Sequence, residues 1–273
     1  MQVPELWSQE DRLALATFEV ALKNDDLAGA LLAVEGVTPK DAAECRILLH
    51  EYGQRTQDMG LDPVSAMGRV LVDQEGFHGD TDDYYNPSNS YLSSVVDRKR
   101  GLPILLSALW MLVGEQAGIS VEGIGLPGHF IVRVGGAGGV LVDPFAGGKM
   151  LSVSDCARMV DVLSSGTVTW DDAYLTSISL DALLERVLRN LMHSFQRAGE
   201  PESLFRAAKF YSALRPHEVE PLLVHARLAE AMGARQMAVD IYGSIQDHFP
   251  NTPAAELAGS RLVDLRGEPF ETN

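Results

Sequence analysis

Between Ile104 and Ala117, apolar side chains fall on every face of a helical wheel. Ile104, Leu105, Leu106, Leu109, Trp110, Met111, Leu112 and Val113 leave no polar stripe. A helix apolar all round needs other elements on all its sides, so this segment predicts the centre of a domain. Gly101 is expected to end the preceding helix. Pro103 opens the central one and Gly118 closes it, the placements that a missing N–H and a free φ favour. Beyond it, Val121–Leu126 and Phe130–Val134 read as strands. Gly135-Gly136-Ala137-Gly138-Gly139 reads as a turn, Val140–Asp143 as a return strand, and Phe145–Lys149 as a second turn. Antiparallel strands behind a buried helix make an α+β fold.

Two residues on this frame could carry chemistry. His129 follows Pro127-Gly128 at a strand entry, and Asp143 closes the next strand. On adjacent antiparallel strands the carboxylate could orient the imidazole, as in a nucleophile–His–Asp site. The same pair could equally serve only to tie two strands together. A thiol or hydroxyl nucleophile would belong at the start of the central helix, where the helix dipole and free N–H groups lower a thiol pKa. Pro103 stands there, with neither nucleophile nor N–H. Ser107 lies a turn deeper and is expected to be packed or bonded within its helix. Cys156 lies on a later helix, about Ser152–Leu163, and is expected to be no substitute.

Upstream, Leu13, Phe18, Leu22, Leu27, Leu31 and Leu32 recur at helical spacing, and Asp41–Thr56 and a segment opened by Pro63 read as two more helices. Cys45 sits among apolar residues and reads as a buried structural thiol. Gly76–Ser90 is dense in Gly, Asp, Asn and Pro and reads as loop. Ser88 or Ser90 is expected to cap a helix over Tyr91–Arg98. Arg98, Lys99 and Arg100 either close that helix and pair with Asp80, Asp82 or Asp83, or form an anion-binding lip. From about Asp181 only helices are expected. Gly199–Pro216 and Gly233–Pro250 are both 18 residues long and lie 34 residues apart. Phe205 then matches Val239, Ala208 matches Tyr242, and Phe195 matches Ala229. A helix–turn–helix period of 34 residues is that of tetratricopeptide repeats. A closing helix, about Pro253–Leu265, would cap the stack.

Net charge is −16, which argues against nucleic acid or an anionic membrane as the main partner. Two cysteines without CxxC spacing fit a reducing compartment. Met1–Glu10 lacks the pattern of a signal peptide, and no apolar run approaches the roughly 20 residues of a membrane span. A cytoplasmic protein is therefore expected. The seven histidines lack HxxxH or HExxH spacing, so neither a metal nor a cofactor is expected.

The longer pattern is Asn86-Pro87-x-Asn89-Ser90, Arg98-x-Arg100-Gly101-x-Pro103-Ile104, Pro127-Gly128-His129-Phe130 and Asp143-Pro144-Phe145. It resembles the transglutaminase-like superfamily, and within it the SirB-type bacterial family, in which tetratricopeptide repeats follow the core; a related domain occurs in some eukaryotic F-box proteins. The resemblance spans about Leu71 to Leu265. It implies a papain-like core in which His129 and Asp143 fall on the family's His and Asp, while Pro103 replaces its Cys. The expected organisation is a helical region over 1–75, the core over 76–175 and helical repeats over 176–273. The expected function is non-catalytic binding or regulation. Asn86, Asn89, Arg98, Arg100 and Pro103 are ligand-site candidates, and the repeats are expected to hold a protein or peptide. The alternative is a hydrolase or acyl transferase that uses His129 and Asp143 without a thiol.

Overall fold

The computed structural model describes residues 8–267. The helices and strands, in chain order, begin with α1 (Gln9–Lys23), α2 (Leu27–Glu35), α3 (Pro39–Asp58) and α4 (Pro63–Met67). A π-helical stretch, Gly68–Gln74, continues α4. Next come β1 (His78–Gly79), a 3₁₀ turn over Pro87–Ser90, α5 (Leu92–Arg98), β2 (Arg100–Gly101) and α6 (Pro103–Ala117). Strands β3 (Val121–Ile124), β4 (Ile131–Val134), β5 (Val140–Asp143) and β6 (Lys149–Leu151) follow. Helices α7 (Val153–Leu163), α8 (Leu180–Ala198), α9 (Pro201–Leu214), α10 (Val219–Ala231), α11 (Arg235–His248) and α12 (Pro253–Gly267) complete the chain.

The chain divides into two compact units. Val20–Val187 carries the sheet; among the described residues, 8–19 join 188–267 in a helical unit. The helical lead-in is thus shared between them. The reason is visible at Phe18, whose ring meets Phe210 edge-on at 5.2 Å, and at Asp11, which pairs with Arg206 at 2.6 Å.

In the sheet unit, β3, β4, β5 and β6 form one antiparallel meander. Ile124, Ile131 and Leu141 share a core with Leu126, Cys156 and Val160, so α7 covers one face. α6 packs on β3 and β4 from the other side, with Met111 against Gly123. Most of α6 is buried, including Trp110 at 1 % exposure, as an all-apolar helix requires.

Three local expectations change. Lys149, expected to end the turn from Phe145, instead opens the edge strand β6, which no expectation covered. The helix over 92–98 is closed by Lys99 at φ 60°, not by Gly101. Lys99 is held there because its ammonium donates to Tyr52 Oη (2.7 Å) and Glu75 (3.0 Å) and sits over the Phe77 ring. Neither Ser88 nor Ser90 caps α5; Tyr91 is its N-cap residue, and Asn86 caps the 3₁₀ turn before it.

In the helical unit, α9 packs on α10, α10 on α11, and α11 on α12. Of the residues matched at the 34-residue offset, Phe195, Phe205, Ala208, Ala229 and Tyr242 are buried. No helix among the described residues is long and apolar enough to cross a membrane.

Candidate functional site

The site is built on two turns. Leu126-Pro127-Gly128-His129 closes with the His129 N–H on the Leu126 carbonyl at 3.2 Å, and Gly128 has φ +76°. Proline followed by a positive-φ glycine is the chemistry of a type II turn. It aims His129 at the end of β5. There Asp143 Oδ2 lies 3.0 Å from His129 Nε2. The other oxygen, Oδ1, accepts the N–H groups of Phe145 (3.0 Å) and Ala146 (3.2 Å). Asp143 therefore folds its own turn and orients the ring at once. Both side chains are nearly withdrawn from water, His129 at 10 % and Asp143 at 4 % exposure. Nδ1 of His129 has no hydrogen-bond partner among the described residues.

An arginine missed in the sequence holds the His129 turn. Arg186, early in α8, donates to the carbonyls of Leu126 (2.7 Å) and His129 (3.3 Å). Its guanidinium also lies 5.4 Å from the Phe130 ring centre. A Cβ on Gly125 would run into this guanidinium, so a larger residue there would have to push Arg186 aside. The one local signal for Arg186 is a cation set among Leu183, Leu184 and Val187, all fully or almost fully buried. An aromatic series was missed as well. His129 meets Phe145 edge-on at 5.9 Å, Phe145 meets Tyr84 at 6.1 Å, and Tyr84 meets the exposed Tyr85 at 5.3 Å.

The remaining motif residues form a separate network. Arg98 donates to Asn89 Oδ1 and to Asp80 Oδ2, each at 3.0 Å. Asn89, fully buried, donates to the Asp83 carbonyl at 2.8 Å. Asn86 accepts from the Ser88 N–H (3.0 Å) and donates to Asp83 (2.8 Å). Burial alone would raise the Asp80 carboxyl. The Asp83 N–H, Asn89, Arg98 and the charge of Arg100 outweigh it and leave the pKa lowered. Asn86, Asn89 and Arg98 thus hydrogen-bond within this network, with Arg98 still exposed, and none shares a hydrogen bond with His129. Arg100 is exposed.

Pro103 is buried at the first position of α6. The segment before it is stitched to the network, since the Leu102 N–H donates to the Asn89 carbonyl at 3.0 Å. Ser107 is fully buried, and its hydroxyl donates to the Phe130 carbonyl at 3.4 Å. Cys156 is also fully buried; burial, then Asp155 and Asp143, push its thiol up to about 11. Burial likewise pushes Cys45 up to about 12. Neither thiol is poised to ionise. Among the described residues no group of three or more His, Cys, Asp or Glu side chains could hold a metal.

The profile of the transglutaminase-like superfamily matches residues 41–189, which includes His129, Asp143 and Arg186. The chain belongs to the transglutaminase-like superfamily. It is similar to a UPF0162 protein of Xylella fastidiosa (strain 9a5c), 33 % identical over 77 % of this chain and 76 % of that protein. A UPF0162 protein of Vibrio cholerae is 22 % identical over 80 % of this chain and 79 % of its own length. Human F-box only protein 21 is 31 % identical over 62 % of this chain but only 28 % of itself. No solved structure matches.

Proposed function

We propose that this chain is a non-catalytic binding and regulatory protein, a SirB-type member of the transglutaminase-like superfamily that acts in the cytoplasm. The cleft at His129 and Asp143 holds a peptide or small ligand, and the C-terminal helices, read as tetratricopeptide-like repeats, hold a protein or peptide partner. The observation that carries this reading is Pro103. It is buried at the start of the central helix, where a nucleophile activated by the helix end would sit, and it carries neither thiol nor hydroxyl. His129 and Asp143 keep their 3.0 Å contact without it. A positioned ring with an unpartnered Nδ1 suits a hydrogen bond to a bound group.

The same Nδ1 favours one alternative, a hydrolase or transferase in which His129 acts as general base towards water. Such help is worth roughly 10²–10⁴-fold. One pair of measurements separates the readings. Native mass spectrometry of the full chain and of His129→Gln is expected to show a ligand retained by the first and lost from the second. Turnover of any amide or ester in a substrate panel that falls at least a hundredfold in His129→Ala would overturn the binding reading.

A further inference from the structure

Two neighbouring cavities open on the helical unit, of about 370 and 340 Å³. The larger is lined by α8, α9 and α10 and the smaller by α10, α11 and α12; Arg227 lines both. Of the α10 residues involved, Glu220, Val224, Arg227, Leu228 and Ala231 recur at helical spacing and form one stripe, with Glu230 beside its end. From Glu220 to Ala231 that stripe is about 16 Å long at 1.5 Å per residue. An extended chain covers it with about five residues at roughly 3.3 Å each.

The charges along the stripe are arranged in a set way. At one end Glu220 accepts Arg189 at 3.0 Å and Tyr211 Oη at 3.4 Å. At the other Glu230 accepts Tyr242 Oη at 3.1 Å and pairs with Arg261. Each carboxylate is therefore matched by its own arginine and tyrosine. Arg227, between them, is exposed and has no ion pair or hydrogen bond among the described residues. In a chain with 38 acidic and 22 basic residues, a guanidinium shared by two cavities and paired with no carboxylate among the described residues is open to an external anion. Glu220 and Glu230 would repel a dianion, whereas one guanidinium pairs bidentately with one carboxylate. Met192, Leu204, Val224 and Leu228 in the larger cavity, and Leu257 in the smaller, offer apolar seats on either side.

We infer that this groove binds an extended peptide of about five residues with a carboxylate side chain at its centre, read by Arg227, and apolar side chains flanking it. This rests on the partner-binding half of the function proposed above and deepens it; the His129 site plays no part.

The test is a positional-scanning library of acetylated, amidated pentapeptides, phosphoserine included, presented to the full-length chain. Blocked ends make side chains the only carboxylates. The wild type is expected to select Asp or Glu over Asn or Gln at the central position by about tenfold, in line with a charge-assisted hydrogen bond. Arg227→Gln should abolish that preference, Arg227→Lys should keep part of it, and Arg227→Glu should turn it towards Lys and Arg. Because the side chain is exposed, all three variants should unfold thermally with the wild type. Selection without a central acid, an acid preference unchanged in Arg227→Gln, or a preference for phosphoserine over Asp and Glu would each overturn the inference and leave partner binding standing. If the library yields no selected peptide at all, both fall.

Discussion

His129 in the sheet unit and His225 in the helical unit are both drawn out of water, yet their surroundings differ in kind. His129 faces a carboxylate at 3.0 Å, and that carboxylate is itself held by two backbone N–H groups. His225 is 2 % exposed; its Nδ1 lies 3.4 Å from the Ser212 hydroxyl, and its buried Nε2 has no partner. Burial, followed by the charge of Lys209, pushes His225 down to about 3. One ring is given an anion to work with; the other is enclosed where a proton is costly. A site differs from a packed histidine in the charge of its partner more than in its depth.

The same contrast extends to the arginines of the sheet unit and can be tested from its strongest point downwards. Arg98→Ala leaves the Asp80 carboxylate, 3 % exposed, without its cation and Asn89 Oδ1 without its donor. The expected loss is about 3 kcal/mol, because removing one partner strands a buried charge. Urea unfolding followed through the fluorescence of Trp110 and Trp170, both in this unit, measures it. A loss below about 1 kcal/mol would make the motif network dispensable.

His225 supplies the next effect. Its folded pKa lies below its unfolded value of 6.5, so the unfolded chain takes a proton that the folded one refuses. Its contribution to stability is present above pH 6.5 and is lost as the pH falls from there towards about 3. At 1.36 kcal/mol per unit this is about 2 kcal/mol between pH 6.5 and 5. Amide hydrogen exchange in α9 and α10 should show that slope in the wild type and not in His225→Gln. A slope that survives the substitution would mean that His225 is not the group being excluded. The smallest effect belongs to Arg100→Ala. This arginine touches Asp80 only through its charge, and the unfolding free energy should change by less than about 0.5 kcal/mol. A shift as large as that of Arg98→Ala would erase the distinction between them.

Much of the site was legible because its geometry is local. Pro127-Gly128 can scarcely avoid a turn, and that turn delivers His129; Asp143-Pro144-Phe145 closes the adjoining strand end. The unbroken apolar surface of α6 placed it at the centre of the sheet unit. What stayed hidden was long-range or decided by burial. Arg186 reaches the His129 turn from 57 residues away, and its apolar neighbours in sequence signal a buried cation without saying what it holds. Asp80, Asp82 and Asp83 offered Arg98 equal partners; only the fold buries Asp80 and leaves the other two exposed. β6 escaped notice because it is three residues long and follows two glycines, and as an edge strand it leaves Met150 exposed.

Pro103 has a consequence for how this scaffold could change. Between the buried Leu102 and Ile104, it needs no acceptor because it has no N–H. Putting a cysteine there would add two things together, a thiol and an amide proton in a place closed to water. An unpaired buried donor costs about 1–3 kcal/mol. A single substitution would therefore be paid for in stability before any chemistry appeared. The proline acts as a ratchet: easy to keep, and hard to reverse one step at a time.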